Sequence, residues 1–122
     1  MVLYRFKLLA FAWLFIISFL FFLPGSALPK QNWFAAMHLD KWVHVGLFAI
    51  LSLLCCAGFG NNAYRRLALI FVVTVLYGLL VEIIQGAWVP NRSFDLFDLL
   101  ADAGGSFFGI AVWGWGKKNK PL

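Results

Sequence analysis

The stretch Leu67–Ile84, LALIFVVTVLYGLLVEII, is 18 residues long, holds a single charged residue, Glu82, and contains no proline. At about 1.5 Å per residue it makes a helix of about 27 Å, close to the ~30 Å hydrocarbon core of a bilayer. Working outward, three more runs share its character. Leu8–Leu23 is broken only by Ser18 and stops at Pro24-Gly25. Tyr4 and Phe6 extend it, with Arg5 and Lys7 snorkelling. Val43–Phe59 and Leu99–Trp115 complete the set, each near the lower length limit for a span. The expected fold is all-α: a single four-helix transmembrane domain over residues 1–122, with helices at about 6–23, 42–59, 67–85 and 97–115.

Composition supports lipid as the solvent. The chain is 63% hydrophobic and 12% charged, against roughly 45–50% and 25% in an ordinary soluble domain. Five acids and ten bases cannot cover the surface of a 122-residue globule, so most side chains must face acyl chains. The net charge of +5 comes from bases beside apolar runs, without a basic stripe or a nucleic-acid-binding motif, so no nucleic-acid partner is expected. Cys55 and Cys56 are adjacent in an apolar run, have neither disulfide nor metal spacing, and read as packing residues.

Orientation follows from the bases. Arg5 and Lys7 precede the first helix, Arg65 and Arg66 join the second to the third, and Lys117, Lys118 and Lys120 form the tail. Four crossings put these on one side, which the positive-inside rule makes cytoplasmic. Both termini are expected inside. Trp33, Trp42 and Trp88 then lie near the outer interface, and Tyr4, Tyr64, Trp113 and Trp115 near the inner one. The basic start followed by Gly25-Ser26-Ala27 also resembles a cleaved signal peptide, but its run of 16 apolar residues exceeds the ~7–15 of a signal core. A short interfacial helix is expected around Trp33–Met37, a turn at Pro90-Asn91, and a tight reversal over Gly60–Arg66.

With this topology every acid, Asp40, Glu82, Asp95, Asp98 and Asp102, falls toward the outer side, as do His38 and His44. Only Lys30, Lys41 and Arg92 accompany them. Asp95, Asp98, Asp102, Gly105 and Gly109 step by three and four and share a helical stripe. Gly105 and Gly109 form a G-x-x-x-G pair, extended backwards by Ala101, that allows close helix approach. Thr74, Gly78, Glu82 and Gln85 form a second stripe, and Asp40 and His44 share a face beside Lys41. The expectation is an outer-face polar cup of Asp40, Lys41, His44, Glu82, Gln85, Arg92, Ser93, Asp95, Asp98 and Asp102, with Gly78, Ala101, Gly105 and Gly109 as packing positions.

Each member also has a simpler role. Glu82 can lock helices by pairing with Arg92 or Lys41. Asp40 can be the N-cap of the second helix, and Asp95 or Ser93 that of the fourth. His44 alone reads as a hydrogen-bonded packing residue. Arg92-Ser93 suits an anion clamp. His44 with carboxylates suits a divalent ion, but no H-E-x-x-H or Cys/His spacing accompanies it, so no metal or cofactor is assigned. The chain has no nucleophile elbow, P-loop or dinucleotide fingerprint.

Asp40-Lys41-x-x-His44, Gly78-x-x-x-Glu82-x-x-Gln85, Arg92-Ser93 and Asp98-x-x-Ala101-Asp102-x-x-Gly105 together resemble the VanZ-like family of small bacterial membrane proteins. The resemblance runs from about Asp40 to Gly109. Asp102 stands where that family often has Asn. The resemblance implies a multi-pass protein of the bacterial cytoplasmic (inner) membrane, part of the cell envelope, and a link to the glycopeptide-antibiotic response through the accessory protein that gives the family its name. The leading expectation is recognition of an envelope lipid headgroup or cell-wall precursor at the outer cup. Lys41 and Arg92 would hold an anionic group, while the acids fix those bases. A membrane-embedded hydrolase or transferase acting on a lipid-linked substrate is the alternative, with His44 or Glu82 as general acid or base. Ion or proton movement is the third, and it needs an oligomer because the inner halves of the helices carry no acid. The oligomeric state stays open.

Overall fold

The computed structural model describes residues 2–23, 39–60, 63–89 and 95–118, nearly all of them in four helices: α1 (Val2–Phe21), α2 (Leu39–Phe59), α3 (Tyr64–Trp88) and α4 (Leu96–Lys118). All four are long and apolar enough to cross a membrane. An α-helix closes its own backbone hydrogen bonds, which is what allows such sequences to sit in hydrocarbon.

The helix ends differ from the expected ones by a few residues, for local reasons. α1 begins at Val2 and stops at Phe21, with Phe22 and Leu23 turning away ahead of Pro24, since the residue before a proline is pushed out of the helical region. α3 runs through Gln85 to Trp88 and ends where Val89 is extended (φ −91, ψ 122), again immediately before a proline. α2 begins at Leu39, so Asp40 lies inside its first turn and is not its N-cap. α4 runs to Lys118, a little past the expected end. The segments around Trp33–Met37 and Pro90-Asn91 lie outside the described residues.

α2 is the hub. It packs most extensively against α4 and also against α1, while α3 leans mainly on α4; among the described residues α1 and α4 do not meet. Ile17, Phe21, Phe48, Leu51 and Val81 form the apolar core, flanked by Trp13, Leu14, Leu47, Cys55 and Tyr77. Cys55 and Cys56 are free thiols, Cys56 fully buried. Trp13 Nε1 donates to the Leu47 carbonyl at 3.0 Å. Ser18 Oγ donates to the Leu14 carbonyl, which leaves it to accept from Tyr77 and ties α1 to α3.

Burial is inverted relative to a soluble bundle. Phe15, Phe19, Leu76, Phe97 and Phe107 point outward, whereas His44, Ser52, Thr74, Glu82, Gln85, Asp102 and Ser106 are buried. That is the arrangement lipid demands: apolar chains lose nothing by facing acyl tails, and polar ones must find one another inside. Ser52 and Thr74 return their hydroxyls to carbonyls of their own helices.

The two ends of the bundle are chemically distinct. At one, the Lys7 ammonium lies 5.3 Å from the centre of the Phe59 ring, and Tyr4, Tyr64 and Trp115 are exposed. At the other, Phe21, Lys41, His44, Glu82 and Asp98 come together, with Trp42 and Trp88 exposed nearby.

Candidate functional site

The polar end is assembled from all four helices. α2 presents Lys41 and His44, three residues apart and so on one face. α4 brings Asp98 and Asp102 by the same rule, with Asp95 just ahead of its first turn. Asp95 is the N-cap: its Oδ1 accepts from the Phe97 N–H at 2.9 Å, and its carbonyl accepts from Asp98 and Leu99. α3 supplies Glu82 and Gln85, and α1 ends there at Phe21.

Glycines determine how closely these helices approach. A Cβ on Gly105 would collide with the Val45 backbone, and one on Gly109 with the Ala49 carbonyl and the Ser52 hydroxyl. α4 therefore lies backbone to backbone on α2, as a small-xxx-small stripe allows. A Cβ on Gly78 would come within 2.9 Å of Asp102 Oδ2 and 3.3 Å of the Phe48 ring. Ala101, on the same helix as Asp102, is half-buried.

Two linked motifs result. Near the mouth, Lys41 Nζ donates to Asp95 Oδ2 at 2.6 Å and to Asp98 Oδ1 at 2.7 Å, with the Asp95 side chain 35% exposed. Deeper, His44 Nδ1 lies 2.7 Å from Asp102 Oδ1, while His44 Nε2 is 3.8 Å from Asp98 Oδ2. With Asp102 ionised its oxygen only accepts, so Nδ1 then carries the proton and, in the neutral ring, Nε2 keeps its lone pair. The Phe21 ring stacks on the imidazole with centroids 4.9 Å apart. Glu82 and Asp102 are both 0% exposed.

Glu82 Oε2 accepts from the Asp95 N–H at 3.2 Å, and Gln85 Nε2 donates to the Phe21 carbonyl at 2.8 Å. Glu82 Oε1, Asp102 Oδ2 and Ser106 Oγ are buried and have no hydrogen-bond partner among the described residues. Buried polar atoms are usually paired, so three in one region mark it as unusual. Outside the spans, the Lys41 ammonium holds the Asp95 carboxyl below its ordinary value of 3.8, outweighing partial burial. Among the described residues Lys41 thus pairs with Asp95 and Asp98, while Glu82 and Asp102 lie deeper, beside His44.

Of the residues expected in the cup, Lys41, His44, Glu82, Asp95, Asp98 and Asp102 form this connected cluster. Gln85 sits at its edge and holds the end of α1. Asp40 lies in the first turn of α2, its side chain outside the described set, and Arg92 and Ser93 lie outside it altogether. Three contributors escaped the sequence reading. Ser106 lies four residues beyond Asp102, a spacing that would have found it. Phe21 and its carbonyl carry no sequence signal, nor does the Ser18–Tyr77 link.

Comparison with family models, with curated proteins and with solved structures finds no match to this chain.

Proposed function

We propose that this chain is a multi-pass protein of a bacterial cytoplasmic membrane, VanZ-like in kind, that binds the polar head of an envelope lipid or lipid-linked cell-wall precursor. The Lys7–Phe59 end faces the cytoplasm, because Arg5, Lys7, Arg65, Arg66, Lys117 and Lys118 belong to the helix ends there. The polar cluster lies at the outer leaflet, and the VanZ-like motif pattern supports a link to the glycopeptide response.

The observation carrying the proposal is the set of fully buried carboxylate oxygens on Glu82 and Asp102 that have no hydrogen-bond partner among the described residues, beneath a mouth formed by Lys41 and Asp95. Holding such groups near hydrocarbon is costly unless something donates to them. Hydroxyl or amine groups of a polar head supply donors, and the mouth lies at the depth where heads reside. Mass spectrometry of lipids co-purifying with the wild type and with Asp102→Asn tests this, with a monodisperse, helical variant as the condition for comparison. An altered lipid set is expected; identical sets refute the proposal. Reporter fusions at the C-terminus and near Trp33 test the sidedness, and a tail fusion active outside the cytoplasm would reverse it.

The His44–Asp102 pair favours a second reading, a hydrolase or transferase acting on a lipid-linked substrate. Asp102 fixes the ring so that Nε2 is available as a base, the orienting role that carboxylates play beside catalytic histidines. Water would be the nucleophile. Turnover lost in His44→Gln with binding retained would favour this reading over simple recognition.

A further inference from the structure

We propose that His44, Glu82 and Asp98 bind a divalent transition-metal ion of the zinc class. The inference goes beyond head-group recognition and does not depend on it.

The three residues come from three helices, α2, α3 and α4, at positions too far apart in sequence to form a recognisable metal motif. The fold brings one ligand atom from each to within 4.8 Å of the others. In a tetrahedral site with metal–ligand bonds of about 2.0–2.2 Å, neighbouring ligand atoms stand about 3.4 Å apart. His44 Nε2 and Asp98 Oδ2 are already at 3.8 Å. The widest separation, up to 4.8 Å, must contract by about 1.4 Å for such an ion to be held.

Independent features point to a ligand. Glu82 is fully buried and its Oε1 has no hydrogen-bond partner among the described residues. The groups around the cluster are placed as outer partners of a metal site. Asp102 accepts from His44 Nδ1, the carboxylate–histidine arrangement that orients an imidazole and aims Nε2 at a metal. Lys41 engages Asp98 Oδ1 and leaves Oδ2 facing His44. Electrostatics agree: among the described residues the cluster holds four carboxyls, of which Lys41 engages only Asp95 and Asp98, and a doubly charged cation would relieve the rest.

The donor set selects the ion. One imidazole and two carboxylates suit zinc and its neighbours, and they are a poor cage for calcium, which takes six to eight oxygens. The set contains no sulfur, which argues against copper(I). Three protein ligands leave a fourth position for water or a ligand group, the pattern of sites that bind or activate something rather than only stiffen a fold.

The test uses the full chain in detergent, freed of any histidine tag and stripped with a chelator, then titrated with zinc alone against a chromophoric indicator. One zinc per chain is expected. Glu82→Gln and Asp98→Asn, which keep side-chain shape, should each weaken affinity at least a hundredfold, and Asp102→Asn about ten- to a hundredfold as an outer partner. Cobalt substituted into the wild type should give visible absorption of tetrahedral strength, absent in His44→Gln. If these variants do not fold, X-ray absorption of the zinc-loaded wild type must show a nitrogen/oxygen shell containing an imidazole. No zinc bound by folded wild type at micromolar free metal, a sulfur shell, or unchanged affinity in both carboxylate variants would overturn the proposal. Zinc binding together with an unaltered lipid set would leave the metal site standing and remove the head-group reading.

Discussion

Replacing Gly105 by alanine adds one methyl group at the point where α4 meets α2. The new Cβ would lie 2.9 Å from both Val45 C and Val45 Cα, and closer still to the Val45 carbonyl oxygen. Carbon–carbon contacts are comfortable at about 3.5–4.0 Å, so the helices must part by about 0.6 Å or more. The obstacle is helix backbone, which cannot rotate aside as a side chain would. Val45 adjoins His44, and Gly105 is three residues from Asp102, so the parting falls directly on the 2.7 Å His44–Asp102 bond. Overpacking of this kind costs about 1–3 kcal/mol.

Gly104→Ala provides the control. Nothing lies within 4 Å of the methyl group it adds, and removing a helical glycine contributes about 0.5–1 kcal/mol of stability. Both variants gain that same increment, so Gly105→Ala should fall below Gly104→Ala by about 1–3 kcal/mol, the overpacking cost alone. Reversible unfolding in mixed micelles, followed by circular dichroism, measures the gap. Equal stabilities for the two variants would show that α2 and α4 are not in backbone contact at this position.

Two further expectations follow from single contacts. Gln85→Leu removes the donor to the Phe21 carbonyl and leaves that acceptor buried at the end of α1, at a cost of about 1–3 kcal/mol in the same unfolding assay. Asp95→Asn keeps a capping side chain but removes the charge that Lys41 engages; the pair is partly exposed, so the loss is at most about 1 kcal/mol near neutral pH. The Asp95 value is depressed on folding, so this contribution is fully present above the unfolded value and is lost as pH falls through the folded one. The wild type and Asp95→Asn should therefore differ by a constant amount from about pH 7 to 5 and converge below about pH 4; a gap that widens in acid would contradict the assignment.

Much of the architecture was legible because lipid makes simple demands. Each span must be a long apolar helix, so run length alone located four of them, and prolines marked where two end. The stripe from Asp95 to Gly109 was legible for a related reason: a polar or glycine position repeating every three or four residues has to face protein rather than acyl chains. Asp95 was recognisable as a cap by its place before an apolar run, while Asp40 was misplaced because the start of a helix shifts by a residue or two without changing the pattern.

What the chain's own pattern determined, then, is that four helices form, that each has one face fit to be buried, and that its acids gather at one end and most of its bases at the other. These are properties of single helices, governed by periodicity and by the cost of exposing polar groups to hydrocarbon. Which atoms meet was decided only by packing. His44 chooses Asp102, Lys41 bridges Asp95 and Asp98, and Glu82 keeps an oxygen without a partner among the described residues, because Gly105 and Gly109 let α4 settle onto α2 and Gly78 lets α3 come up to Asp102. Such contacts depend on sub-ångström distances between helices distant in sequence, and no spacing along one chain encodes those distances.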